Sequence, residues 1–425
     1  MPARRSGDEY VRLNMARFHR AECEQRDAAD PLAPIRDRFV IPAHVIYLDG
    51  NSLGPMPVGA AAAMKRVTEQ EWGQGLIRGW NESGWMDAPL RLGRALAAAF
   101  GARADEVIVA DSTSINLFQL LVAALQLRPD RSTIVAADDD FPSDRYLVDS
   151  AAALMQRRVE RIDPADAIAR IGRDTAVVVF SHVHYRSGLM LDMAAITRAA
   201  HDQGALALWD LSHSAGAVDL DLDGADVDFA IGCTYKYLNG GPGAPAFSFV
   251  HERFHTNMAT PLTGWLGHDD PFAFEATYRP APGVRRLQVG TPHILSMAAL
   301  EAALEAVADV DWGLVRAKAM ALTELFIELV ESRLSGAGFV LASPEDPHRR
   351  GAHVSFEHRH GFEIVKALMA RGVIGDFRVP DTCRFGFSPL ITRYVDVWDA
   401  VDHLAGVIKN EEWRDPAHSV RSFVT

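Results

Sequence analysis

Cysteine is scarce in this chain, and basic charge is outweighed by acidic. The three cysteines among 425 residues, Cys23, Cys233 and Cys383, lie far apart and are odd in number. They match no metal-ligand spacing and no disulfide framework, which fits a reducing compartment. A net charge of -13, spread along the chain, leaves no basic face to neutralise phosphates and excludes nucleic acid as a partner. No run approaches the roughly 20 apolar residues that span a bilayer. The N-terminal stretch MPARRSGDEYVRLNMARFHRAECEQRD lacks the apolar segment of a secretory signal. A soluble cytoplasmic protein without membrane partners is expected. Neither G-x-x-x-x-G-K-[ST] nor G-x-G-x-x-G occurs after a strand, which argues against a nucleotide or NAD enzyme.

What is present is a regular alternation. Residues 8–28 read as a helix, VIYLDG (45–50) as a short strand, and 58–72 and 86–100 as helices. From residue 107 on, apolar strands (107–110, 133–137, 175–183, 206–211, 228–234, 244–251) are separated by helical stretches near 115–127, 143–156 and 192–203. Continuous apolar strands with amphipathic crossovers predict an α/β fold around a mostly parallel sheet. Ligands of such sheets sit beyond the carboxyl ends of the strands. A long helical stretch (295–335) leads into a smaller α+β pattern: HVSFEH, GFEIVKALMARGV, CRFGFSPL and VDVWDAVDHLAGVIK. The expected division is an N-terminal segment (1–57) packing on the small domain, a large domain (58–300) and the small C-terminal domain (301–425).

Three stretches carry chemistry. In WDLSHSAGAVDL, Asp210 ends one buried strand; in DFAIGCTYKYLNGGPGAPAF, Lys236 follows another within a glycine-rich turn. A lysine so placed reaches into a pocket where its partly desolvated amine is nucleophilic. An aspartate at the adjacent strand end can keep a pyridine nitrogen protonated and make the ring an electron sink. In VIVADSTSINLF, a strand, a polar loop and a helix starting near Ile115 set Thr113 and Ser114 around an anion; simple capping of that helix by Ser114 is the plainer alternative. In DDDFPSDRY, Phe141 could stack on a flat ring and Asp144 bond its edge, unless the segment is only a turn.

These residues resemble kynureninases, members of the class V aminotransferase group of fold-type I pyridoxal-phosphate (PLP) enzymes. DAADPLAPIRDRF, IYLDGNSLGP, GLIRGWNESGW, STSINL, FPSD, DLSHSAGAV, YKYLNGGPGAPAF, GWLGH, GTPHILSMAAL and CRFGFSPL carry the resemblance. It implies that Lys236 bonds covalently to the cofactor and that Asp210 pairs with its ring nitrogen. Thr113, Ser114 and Tyr235 would hold its phosphate, Phe141 and Asp144 would line its ring, and His213 would stand beside Asp210. Ser187 is a further cofactor contact. Trp265 and Thr291 would reach the phosphate from a neighbouring subunit, which makes a homodimer the active unit. Arg384 would clamp the α-carboxylate of L-kynurenine. Trp80 stands where animal members that prefer the 3-hydroxylated substrate have histidine; with Gly290 and Thr291 it favours unsubstituted kynurenine.

The implied reaction is hydrolysis of the Cβ–Cγ bond of L-kynurenine to anthranilate and L-alanine, in tryptophan catabolism. Lys236 would remove the α-proton, and Tyr235 would serve as acid and base in the later steps. Plainer readings exist for the substrate side: Trp80 and Trp265 as packing residues, His213 as a core histidine, and Arg384 paired with Asp376 or Asp381. Two rival functions are a class V cysteine desulfurase or aminotransferase, and a non-catalytic binding module of the same fold. The first needs a nucleophilic cysteine on a mobile loop, and none of the three is well placed for it. The second has no need of Lys236, Asp210 and Arg384 together.

Overall fold

The computed structural model describes residues 19–421. The chain forms two compact units: Met56–Tyr185 with Met190–Asp309, and the chain up to Pro55 with Arg186–Leu189 and everything from Val310 on.

The larger unit is built on a seven-stranded sheet. Its order across the sheet is Val107–Val109, Phe247–Val250, Phe229–Gly232, Leu206–Asp210, Thr175–Ser181, Thr133–Ala137 and Arg158–Ile162. Phe247–Val250 runs antiparallel to both neighbours and every other pairing is parallel. Side chains alternate between the two faces along a strand. Val135, Val178, Phe180, Ala207 and Trp209 therefore enter one core with the helix Ala88–Ala99. Ile134, Ala136, Val177, Val179 and Leu208 enter the opposite core with the helix Thr113–Gln126. Both faces are covered, which is why these strands are apolar throughout.

Two sequence expectations need adjustment here. Arg158–Ile162 is a strand at the sheet edge, which its three charges in RVERI concealed; only Ile162 is buried. The helix expected over 58–72 is α-helical at Ala60–Arg66 and continues as a π-helical turn over Val67–Trp72.

The smaller unit holds a four-stranded antiparallel sheet in the order Asp376–Arg378, Thr382–Gly386, His353–Glu357, Val340–Leu341. Helices Trp312–Arg333, Gly361–Ala370 and Tyr394–Lys409 bury Phe326, Phe356, Phe385 and Leu404 against it. The helical stretch expected over 295–335 comprises two helices, Ile294–Ala306 and Trp312–Arg333. The Asp311 carboxylate caps the second by accepting from the N–H groups of Gly313 and Leu314. Of the helix expected over 8–28, Arg20–Ala28 is observed; residues before 19 lie outside the described part.

The segment preceding Pro55 enters this unit through two acids, Asp27 and Asp30. The Asp27 carboxylate accepts from the N–H groups of Tyr394 (2.7 Å) and Val395 (3.0 Å), satisfying two donors that the helix itself leaves open. Asp30 meets Lys318 at 2.6 Å with both side chains over nine-tenths buried. Burial pushes the Lys318 ammonium below its usual range, and Asp30 opposes that shift. Removing one partner of such a pair strands the other charge, at about 3–5 kcal/mol. Asp30→Asn should therefore lower unfolding free energy by about 3 kcal/mol in urea titration; a loss under about 1 kcal/mol would show that the pair behaves as a surface contact.

Candidate active site

The parallel strands of the larger unit end together, and their apolar residues carry a group of acids out of water. Asp210 and Ser181 lie opposite each other in register at the ends of adjacent strands. Asp210 is buried, accepts from the Ser212 N–H at 2.8 Å, and its carboxyl is pushed up by desolvation. Asp144, in the first turn of the helix Pro142–Met155, hydrogen-bonds Asp210. Burial, then the negative charges of Asp210 and Asp140, hold it well above the carboxylate range. With both carboxyls pushed up and bonded to each other, the pair resists carrying two negative charges. Asp140 accepts from the N–H (2.9 Å) and hydroxyl (2.5 Å) of Ser181, and from the N–H of Phe141.

Lys236 follows the strand Phe229–Gly232. Its Nζ lies 2.9 Å from Nε2 of His213 and 6.0 Å from the centroid of the Phe141 ring. That ring meets Tyr185 edge-on at 5.2 Å. The neighbouring Cys233 thiol and burial push the Tyr235 phenol up, so it stays protonated across the working pH range. Structure brings Asp144, Asp210, His213, Lys236 and Phe141 together, with Tyr235 adjoining them.

A second element of this unit is the start of the helix Thr113–Gln126. Its cap is Ser112, which accepts from the Ile115 N–H, so Ser114 is not the capping residue. Thr113 and Ser114 are the first two helical residues, where N–H groups lack intrahelical acceptors and the helix dipole favours an anion.

Trp265, Thr291 and Trp80 lie on other segments of the larger unit. Trp265 is 39% exposed and meets Phe272 edge-on at 5.8 Å; Phe272 in turn meets exposed Phe274. Thr291 is exposed. Trp80 is half-buried and meets Trp85 edge-on at 5.8 Å.

Arg384 and Ser187 belong to the smaller unit. The strand Thr382–Gly386 sets Arg384 directly across from Asp376. Arg384 Nε donates to Asp376 Oδ1 at 2.8 Å, and its Nη2 donates to Asp376 Oδ2 and to Ser52 Oγ at 3.1 Å. With its amide turned to satisfy its bonding, Asn51 also accepts from Arg384 Nε (2.8 Å) and Nη2 (3.1 Å). Of the two plainer partners expected for Arg384, Asp376 is the one it binds. Ser187 accepts from the Leu189 N–H at 3.2 Å, in a segment tied to Gly351 and Ser355 of this unit.

Sequence reading passed over Asp140, Ser181, Asn51 and Ser52. The signal for the first pair was slight: DDDFPSD has more acids than a turn needs. Asp376 was named as one of two partners for Arg384, and the pairing of two short strands selects it over Asp381. Among the described residues no His, Cys, Asp and Glu group could hold a metal ion, and no helix is long and apolar enough to cross a membrane.

A family model described as the kynureninase C-terminal domain matches residues 315–404. The chain is 49% identical over 413 residues to a kynureninase of Burkholderia mallei (strain SAVP1), covering 96% of this chain and 99% of that one. It is 48% identical to a kynureninase of Pseudomonas fluorescens with the same coverage. Among solved structures, an apo cysteine desulfurase from Thermococcus onnurineus NA1 superposes with a TM-score of 0.76 at 19% identity, over 89% of this chain and 98% of that one. A C-DES variant with glycine covalently linked to its PLP cofactor gives 0.75 at 20% identity, over 88% and 98%. At such identity these two show the fold alone, that of PLP enzymes with a mostly parallel sheet.

Asn51 reaches Arg384 only because residue 386 has no side chain: a Cβ there would stand 1.7 Å from the end of the Asn51 amide. Gly386→Ala should displace Asn51 and cost about 1–3 kcal/mol in thermal or urea unfolding. An unchanged midpoint would mean that the Asn51 turn moves aside freely.

Proposed function

The chain belongs to the kynureninase family, and from that premise we propose how its residues divide the work of the reaction. It is an enzyme that hydrolyses the Cβ–Cγ bond of L-kynurenine, with water, to anthranilate and L-alanine, using pyridoxal 5'-phosphate. The observation that carries the assignment of roles is the contact of Lys236 with His213 beside the buried Asp144–Asp210 pair.

The residues present suit the cofactor. Asp210 is short of positive charge where it lies, since burial holds its carboxyl up; a protonated ring nitrogen would relieve that cost and ionise it. Phe141 would cover the ring, and Asp144, whose carboxyl burial pushes up, would hydrogen-bond a polar group on the ring edge. Thr113 and Ser114, with the first amides of their helix, would hold the phosphate along with Tyr235. When bound, PLP supplies the electron sink that lets the α-proton leave and the side chain be lost.

The chain's own groups then move protons. Lys236 takes the proton from the substrate's α-carbon, with His213 holding its amine in place. Asp210 keeps the ring nitrogen protonated throughout. Water adds to the γ-carbonyl, the Cβ–Cγ bond breaks, and anthranilate departs with the carbonyl carbon as its carboxylate. Tyr235, held protonated, gives its proton to Cβ and recovers one from the hydrated carbonyl, and Lys236 returns its proton to Cα, which yields alanine. Arg384 binds the α-carboxylate by charge-assisted hydrogen bonds, and Ser187 is a further cofactor contact. Trp80, with Gly290 and Thr291, favours the substrate without a 3-hydroxyl.

The working assembly is a homodimer, in which Trp265 and Thr291 serve the partner's cofactor. The exposed ring group of Trp265, Phe272 and Phe274, together with exposed Trp72, Leu76 and Ile77, supports an interface in this unit. The cytoplasm is the proposed compartment, in keeping with three unpaired cysteines. A desulfurase role lacks a nucleophile: Cys23, Cys233 and Cys383 are all buried, and burial pushes each thiol up, Cys23 to about 11.

The test mixes PLP-loaded protein with L-kynurenine and follows anthranilate fluorescence. Wild type should release anthranilate and alanine in equal amounts, and Lys236→Ala should lose at least about 10³-fold in rate. Sulfide from cysteine, with no anthranilate from kynurenine, would overturn the assignment. Tyr235→Phe should slow turnover by about 10²-fold without releasing the cofactor; full turnover would remove Tyr235 from proton transfer.

A further inference from the structure

Asp140 lies in the turn between the strand Thr133–Ala137 and the helix Pro142–Met155, and it is buried. Its two oxygens take three hydrogen bonds. Oδ1 accepts from the Phe141 N–H at 2.9 Å and from the Ser181 hydroxyl at 2.5 Å; Oδ2 accepts from the Ser181 N–H at 2.9 Å. The sheet leaves that last donor open. Pairing between Thr133–Ala137 and Thr175–Ser181 runs only as far as Ala136 opposite Val179, and the next amide, that of His182, is taken by the Asp210 carbonyl on the other side. The Ser181 N–H therefore projects past the end of the shorter strand, and the Asp140 carboxylate stands in for the missing backbone acceptor.

The two ends of this bridge carry residues assigned to the cofactor ring. On one side Phe141 leads into the helix whose first turn holds Asp144. On the other, Ser181 lies in register with Asp210. The Phe141 ring is 42% exposed and meets Tyr185 edge-on at 5.2 Å, so core packing does little to fix it. Its backbone amide is held instead, by a charge-assisted bond. Asparagine could not replace the carboxylate. It has one acceptor oxygen, so either the Phe141 or the Ser181 N–H would face an NH2 group.

We propose that Asp140 is a positioning residue for PLP: it fastens the Phe141–Asp144 turn to the strand end beside Asp210, and so sets where Phe141 lies over the ring. The inference rests on the placement of PLP at Lys236. The charge of Asp140 acts as well, since it is among the influences that raise the Asp144 and Asp210 carboxyls. A through-space charge does not depend on the Phe141 side chain, whereas positioning does, and that difference separates the two effects.

The test is a double-mutant cycle on PLP affinity, read from the visible absorbance of enzyme stripped of cofactor and titrated with PLP. Asp140→Asn should weaken binding about tenfold or more when Phe141 is present and by less than about threefold in a Phe141→Ala background. With the site saturated, the induced circular dichroism of the PLP band should fall in Asp140→Asn, because the ring is no longer held in one orientation. Equal losses in both backgrounds, or wild-type dichroism at saturation, overturn the proposal. Ser181→Ala removes one of the three bonds and keeps the charge. It should weaken binding about threefold with the same dependence on Phe141, and it decides the matter if Asp140→Asn does not fold. A Lys236→Ala control separates the two readings. A visible band in wild type that this variant lacks upholds the cofactor's placement, so equal losses then overturn only the role of Asp140. A wild type with no such band overturns the placement itself.

Discussion

The structure depends on the cost of taking carboxyl groups out of water. The strand Leu206–Asp210 is apolar up to Trp209 and fully buried, so its packing drags Asp210 into a place where ionisation is expensive. The neighbouring strand end brings Ser181, which satisfies Asp140. Asp144 bonds Asp210, and burial holds its carboxyl up. What the folded chain offers at these strand ends is a negative charge held back by its surroundings, ready for a cationic ring. The same constraint governs the smaller unit, where Asp30 and Asp376 are buried because Lys318 and Arg384 are buried with them.

These two clusters solve different problems with the same residue types. Around Lys236, the acids Asp140, Asp144 and Asp210 outnumber the cations. Around Arg384, two guanidinium groups, those of Arg384 and Arg378, pair with the carboxylate of Asp376. An enzyme that must hold a cationic ring and also attract a carboxylate needs opposite biases in its two clusters.

Much of this was legible in the sequence, for reasons that particular residues make plain. Strands such as TIVAA and LALWD are apolar on both faces, so period and length identify them, and their ends locate Asp210 directly. Lys236 was legible because glycines and an aromatic pair surround it in YKYLNGGPG. RVERI was not, because an edge strand keeps its charges in solvent and buries one residue. The Arg384–Asp376 pair was open to two readings, substrate clamp or structural ion pair. The structure shows the ion pair, and the clamp remains the proposal for the loaded enzyme. Asn51 and Ser52 escaped because a loop more than 300 residues away in sequence from Arg384 offers no local periodicity to read.

The short segment Arg186–Leu189 packs with the smaller unit, although the chain on both sides of it belongs to the larger. The chain therefore passes from one unit to the other four times. No single cut in the gene could yield either unit entire, because each would lack a piece encoded on the far side. The two units are thus inherited and synthesised as one object. A lineage that wished to exchange the smaller unit for another would have to graft three separate stretches at once, and that makes point substitution the easier path by which such a protein changes its substrate.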